Sequence, residues 1–174
     1  MNSEKTQIAR RSVTAPTRWL LEHVDFSSYR SLLHFGEGRA FPDTSAFEEL
    51  GLSVWAYDPR SPDEYKRDRR LVNTYYSLYD VGVSNYVFNT LLPQDRKSAF
   101  LDMLTCCNRC LISVRTDRVP GDPGADGVIT QRGTFQTQLT KEQWQAWFLR
   151  VSPEWATVNV LHNGGHFCII EVSR

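Results

Sequence analysis

The chain has 174 residues, 41% of them hydrophobic and 23% charged, with 10 glycines and 8 prolines, a balance that excludes collagen-like, low-complexity and wholly disordered chains. That length is one domain's worth and can bury a core without disulfide or metal staples. Twenty Lys and Arg against twenty Asp and Glu leave a formal charge of +0, which argues against a strong non-specific nucleic-acid binder.

The opening stretch MNSEKTQIARRS has no apolar core of a signal peptide, and no apolar run in the sequence is long enough to span a membrane. A cytoplasmic location with reduced thiols is therefore expected. The cysteines are Cys106, Cys107, Cys110 and Cys168. Cys107 and Cys110 form a lone C-x-x-C, half a zinc site with no second pair, and Cys168 sits in an apolar run, so no metal site is expected.

Residues 1–14 read as an N-terminal arm, polar over its first twelve positions with Lys5, Arg10 and Arg11. Pro16 suits a first helical turn, and Trp19, Leu20, Leu21 and Val24 give that helix an apolar face. Residues 31–35 (SLLHF) predict a buried strand, and Gly36-Glu37-Gly38 a turn. Ser45 to Glu48 reads as a capping box opening a short helix that Gly51 ends. Residues 52–57 (LSVWAY) predict a second strand, closed by Asp58-Pro59. Strand, glycine turn, helix, strand and acid make a βαβ unit.

Residues 60–70 are a charged, solvated stretch, in which Lys66, Arg67, Arg69 and Arg70 could line a phosphate path with Arg10 and Arg11. Tyr79 with residues 81–84 predicts a third strand ending at Asn85. Residues 93–105 predict a helix with Phe100, Leu101 and Leu104 inward, and residues 110–114 (CLISV) another strand. Residues 120–127 (PGDPGADG) read as a loop by composition. Thr140 caps a helix over 141–149 carrying Trp144, Trp147 and Phe148. Residues 156–161 and 167–172 predict a hairpin whose tip holds His162 to His166. Alternating βα units with a closing antiparallel hairpin predict an α/β sandwich with the sheet in the middle.

Two patterns carry chemistry. The turn His34-Phe35-Gly36-Glu37-Gly38-Arg39-Ala40 follows a strand and precedes a helix, and its glycines allow a ligand near the backbone. Asp58 lies 20 residues beyond Gly38, at the end of the second strand, where an acid can bind ribose hydroxyls. Asn85 and Tyr86 deliver an amide and a ring to the same carboxyl edge, while Asn89 and Pro93 read as turn and helix cap. Near residue 132, Arg132 and Phe135 beside Gly133 place a cation and a ring close together, either to clamp and stack on a substrate or simply to pack a loop.

These residues together resemble class I S-adenosylmethionine-dependent methyltransferases. The stretch LLHFGEGRAFPDTSAFEELGLSVWAYDP looks like their first two motifs and YDVGVSNYVFNTLLPQDR like their fourth. The likeness is strongest to small methyltransferase-like proteins of phages and of DNA phosphorothioation gene neighbourhoods. Their N-terminal segment is matched by Lys5, Thr6, Arg11, Ser12 and Pro16, and their late block by DGVITQRGTFQ, Asp126 to Gln136. The resemblance implies a Rossmann-like three-layer sandwich around a mostly parallel seven-stranded sheet with a C-terminal antiparallel hairpin, in a single domain spanning 1–174. It implies S-adenosylmethionine over Gly36 and Gly38, with Asp58 on the ribose and Asn85 near the methionine end. His34 stands where the family usually carries an acid, Ala40 replaces the third glycine, and Asp43 is the expected substitute acid. On the acceptor side the resemblance implies Tyr86, Arg132, Thr134 and Phe135, closed over by Thr6 and Arg11 of the arm. The fourth motif reads Asn-Tyr-Val-Phe, which gives no support for amino-group DNA methylation. The methyl acceptor stays open between nucleic acid, protein and small molecule. Two rivals are a degenerate fold serving as a binding or regulatory protein, and an enzyme that cleaves S-adenosylmethionine.

Overall fold

In the computed structural model, which describes residues 11–38, 42–58 and 78–174, period-two alternation sorts the strand side chains onto two apolar cores. In β1 (Ser31–Phe35) Leu32 faces one core, and Leu33 and Phe35 the other. In β3 (Tyr79–Asn85) Val81 and Val83 face the first, while Gly82 leaves room for Met103 and Cys107 on the second. In β4 (Cys107–Arg115) Leu111 faces the first, and Cys110, Ile112 and Val114 the second. The first core is closed by Leu20 of α1 (Ala15–His23) and Phe47 of α2 (Pro42–Glu48). Phe88 of α3 (Val87–Thr90), Phe100 and Met103 of α4 (Pro93–Cys106), and Trp144 and Phe148 of α5 (Lys141–Val151) close the second. Helices on both faces of one sheet make three layers.

With β2 (Ser53–Tyr57), β8 (Thr157–Gly164) and β9 (Phe167–Ser173), the strand order is β2-β1-β3-β4-β9-β8. The β1–β2, β1–β3 and β3–β4 pairs are parallel, and β9 runs antiparallel between β4 and β8. The expected mostly parallel sheet with a closing hairpin is present, but it has six strands among the described residues rather than seven. A separate three-stranded antiparallel sheet, β5 (Asp122–Gly124), β6 (Gly127–Ile129) and β7 (Phe135–Thr137), stands where composition read a loop. The reason is visible at Gly127, where a Cβ would collide with the Gln136 carbonyl. This glycine permits close strand approach instead of breaking the chain.

Helix starts follow local chemistry. Thr14 caps α1 by accepting the Thr17 N–H at 3.3 Å, so position 14, read as the end of the arm, is buried and already part of the body. Thr140 and Gln143 form a reciprocal capping box on α5. The capping box expected at Ser45 is corrected: α2 starts at Pro42, whose fixed φ suits a first turn, and 45–48 are its closing residues. In β8, Val160 pairs with Ile170 and His162 with Ile169, which leaves Leu161 as a bulge. The extra residue turns His162 onto the α1 face, 5.0 Å from the Trp19 ring and 4.7 Å from Phe167. His162 is therefore a strand residue, and the hairpin turns at Gly165 and His166.

One buried cation joins the small sheet to the body. Arg96 is 0% exposed and bonds both Asp126 oxygens at 2.6 and 3.2 Å. It also donates to the Thr137 hydroxyl at 2.6 Å and to the Phe88 and Leu91 carbonyls at 3.2 and 3.1 Å. Its guanidinium lies over Trp144 and Trp147, 5.2 and 5.8 Å from their centroids.

All four cysteines are free and buried, and no described helix is long and apolar enough to cross a membrane. Burial pushes the Cys168 thiol up to about 12 and raises Cys106, while a hydrogen bond with Cys110, together with burial, holds Cys107 well above its ordinary value. Thiolate is the reacting species. The native protein is therefore expected to show no rapidly reacting thiol with an aromatic disulfide reagent at pH 8, and all four should react after unfolding in guanidinium. A fast native reaction would contradict this burial.

Candidate functional site

Parallel register brings the ends of β1 and β2 side by side, because Phe35 pairs with Tyr57. The Gly36 N–H then donates to the Tyr57 carbonyl at 2.6 Å, and the Gly38 N–H to Asp58 Oδ2 at 3.1 Å. Gly36 and Gly38 both have φ +80°, the left-handed region that costs side chains energy. A Cβ at Gly36 would fall inside Val87 Cγ2, so the turn packs directly on α3. The structure thus gathers three expected site residues, Gly36, Gly38 and Asp58, at one carboxyl edge.

Asn85, at the end of β3, belongs to a polar network on the α1 and α2 side of that edge. Its Nδ2 donates to Thr17 Oγ1 at 2.7 Å and to Asp43 Oδ2 at 3.0 Å, and its Oδ1 accepts from Ser113 Oγ at 2.9 Å. Asp43 also accepts the Thr14 N–H at 2.7 Å and the Thr14 hydroxyl at 2.9 Å. Asp43 is 5% exposed. A carboxylate this buried needs donors, and the capping residue of α1 and the end of β3 supply them. Asp43, expected as a substitute acid for the cofactor, anchors the start of α1 through these bonds.

His34 is buried with Nδ1 2.7 Å from Thr44 Oγ1. The Thr44 hydroxyl donates its one proton to Glu37, which as a carboxylate only accepts. With Glu37 ionised, Thr44 accepts from His34 and the imidazole proton sits on Nδ1. Glu37 was overlooked in the sequence, although an acid between two turn glycines was the available signal.

Tyr86 has φ +63°, the only positive value at a non-glycine among the described residues. Such a conformation costs about 1–2 kcal/mol. It is held by the Tyr86 N–H bond to the Ser113 carbonyl at 2.9 Å and sets the ring edge-on to Phe167, 6.5 Å between centroids. On the neighbouring β4 end, Arg115 grips Asp117 through two bonds of 2.9 and 2.5 Å, which raises the arginine and lowers the aspartate from their ordinary pKa values.

The late block divides. Arg132 is exposed at the β6–β7 turn, but Phe135 is 1% exposed and Thr134 buried, with its hydroxyl 2.7 Å from Thr130 Oγ1. The ring fills the small sheet instead of offering a stacking face, so the expected pairing of cation and free ring is corrected. Asp126 of the same block holds Arg96. Arg11 is exposed, and Thr6, Ala40, Lys66, Arg67, Arg69 and Arg70 lie outside the described residues. Among the described residues, no group of three His, Cys, Asp or Glu side chains converges as a metal would need.

No protein-family profile and no curated protein sequence matches the chain. Solved structures do. The 1,6-didemethyltoxoflavin-N1-methyltransferase of Burkholderia thailandensis, solved with 1,6-didemethyltoxoflavin and S-adenosylhomocysteine, superposes with a TM-score of 0.66 at 16% identity, covering 90% of this chain and 75% of that one. The glycopeptide N-methyltransferase MtfA, complexed with S-adenosylmethionine, gives 0.63 at 11% identity over 95% of this chain and 96% of its own. The chain has a methyltransferase fold. The mitomycin 7-O-methyltransferase MmcR gives 0.64 at 15% identity over 92% of this chain but 53% of its own, so the chain spans about half of that longer enzyme. In this methyltransferase fold the glycine turn and Asp58 stand at the carboxyl ends of adjacent parallel strands, where open α/β sheets take their ligands.

Proposed function

We propose that the protein is an S-adenosylmethionine-dependent methyltransferase that holds its cofactor on the Gly36–Gly38 turn and Asp58. The observation that carries this reading is the Gly38 N–H bond to Asp58, which fixes a carboxylate beside a turn whose two glycines take up the left-handed conformation. The groups present fit a nucleoside: a carboxylate for vicinal hydroxyls and two glycines that let a ligand approach the backbone. When bound, the cofactor supplies an already activated methyl on a sulfonium, so the protein's task is alignment and no general base is assigned. Tyr86, beside Phe167, is the acceptor-side ring, with Arg132 and Arg11 as the outlying polar groups. The likeness to phage and phosphorothioation-associated proteins favours a cytoplasmic, nucleic-acid-related acceptor, with a protein acceptor as the alternative.

A second reading, a binding or regulatory protein on a degenerate fold, is favoured by the inward engagement of Asp43 and Asn85. Calorimetry with S-adenosylhomocysteine separates the two. Binding is expected, and Asp58→Ala should weaken it at least tenfold, since charge-assisted bonds contribute about 1.5–3 kcal/mol each. Absence of any heat or thermal shift with wild type at millimolar ligand supports the second reading.

A further inference from the structure

We propose that Arg115 holds the phosphate of a nucleotide acceptor on the outer edge of its guanidinium; as an acceptor site this rests on the S-adenosylmethionine reading above. Arg115 closes β4 at the carboxyl edge, beside the β3 end that carries Asn85 and leads into Tyr86. It pairs directly with Phe167 of β9, which puts both side chains on one face, and the Tyr86 ring stands edge-on to that same Phe167. The Tyr86 phenol is close enough to add to the raised pKa of Arg115. A cation and two half-buried rings therefore meet where open α/β sheets take their ligands. A phosphate beside a planar base is the ligand chemistry that such a set matches.

The guanidinium is aimed but only partly used. Asp117 takes it side-on through Nε and Nη2, at 2.9 and 2.5 Å. Nη1 has no hydrogen-bond partner among the described residues, and the side chain is 39% exposed. A guanidinium carries five N–H donors in a planar fork, so a second anion can dock end-on while the first stays in place. The backbone behind it is fixed from two sides. Asn89, fully buried, accepts the Arg115 N–H at 2.8 Å and donates to its carbonyl at 3.2 Å, and the Trp144 indole donates to that carbonyl at 3.1 Å. Arg115 is the binding group in this arrangement; Asp117, Asn89 and Trp144 are positioning residues. A single cation suits one nucleotide rather than a long nucleic-acid track, in keeping with the formal charge of +0.

The test compares three probes built on one base by calorimetry. Thymidine 5′-(methyl phosphate) carries a singly charged phosphate, thymidine none, and thymine-1-acetate a singly charged carboxylate. A thymine ring also keeps the probes from acting as mimics of the cofactor's adenosine. Wild type is expected to bind the methyl phosphate about tenfold more tightly than thymidine, and more tightly than thymine-1-acetate. Arg115→Gln should lose that preference, and Arg115→Lys should keep about a third of it, because a point charge remains without the fork. Both variants should bind S-adenosylhomocysteine within about twofold of wild type, since the cofactor turn lies on other strands. A preference that survives in Arg115→Gln, or that is unchanged in Arg115→Lys should the glutamine variant not fold, overturns the assignment. Thymine-1-acetate binding as tightly as the methyl phosphate overturns it in favour of a carboxylate-bearing acceptor, and a wild type that binds none of the three overturns it outright. Failure of wild type to bind S-adenosylhomocysteine counts against the cofactor reading alone, because the phosphate preference is read without the cofactor.

Discussion

Arg96→Met is expected to destabilise the protein by about 3–5 kcal/mol, because loss of a fully buried guanidinium leaves two carbonyls and the Thr137 hydroxyl without their donor, while the partly exposed Asp126 can turn to water. Methionine keeps the apolar stem against Trp144 and Trp147 but strands the other side of every polar contact. Asp126 loses both guanidinium bonds, and Thr137 and the Phe88 and Leu91 carbonyls lose their donor. For a chain of this size that corresponds to a Tm fall of about 10 °C. Asp126→Asn should cost less, because its amide oxygen still accepts. The double variant Arg96→Met with Asp126→Asn should cost less than the sum of the two, which denaturant melts measure directly. Melting within about 1 kcal/mol of wild type would mean that the small sheet is held by its apolar contacts alone.

Gly36→Ala carries the second large effect, and it acts on binding as well as stability. A left-handed alanine costs about 1–2 kcal/mol before any collision. The new methyl would also occupy the space of Val87 Cγ2, so α3 must move or the turn must open. Binding of S-adenosylhomocysteine should fall by at least tenfold, since both the turn and its packing change. Val87→Ala in the same chain should recover the collision part of the stability loss and leave the backbone part. Full recovery by Val87→Ala would show that the left-handed conformation itself costs little here.

Local patterns carried most of the scaffold. Leu32 and Leu33 alternate in SLLHF, Thr140 stands three residues before Gln143, and the Gly36 turn separates two short apolar runs; each is a neighbour-scale signal that survived folding. The small sheet was not legible, because its glycines look the same whether they break a chain or let two strands touch. Nor was α3, four residues long and entered through a left-handed tyrosine. At the edge of the sheet, the place of Asp58 just after β2 could be read from its distance along the chain, whereas the partners of Asp43 and Asn85 could not. Asn85 meets Thr17 across 68 positions and Asp43 across 42, and no local pattern encodes such a meeting. Phe135 misled for a similar reason: its burial is decided by the sheet that forms around it. The Thr44 contact of Glu37 was not legible either, because it comes from the following helix.

The bulge at Leu161 has a consequence for the molecule in a crowd. Among the described residues β8 is the last strand of the main sheet, and an edge strand is where a strand from another copy would add. A newcomer needs evenly spaced partners, and the extra residue between Val160 and His162 breaks that spacing in mid-strand. Growth by edge-to-edge stacking therefore stalls after a few bonds. Deleting Leu161 would straighten the edge, and aggregation on gentle heating would then begin at lower concentration.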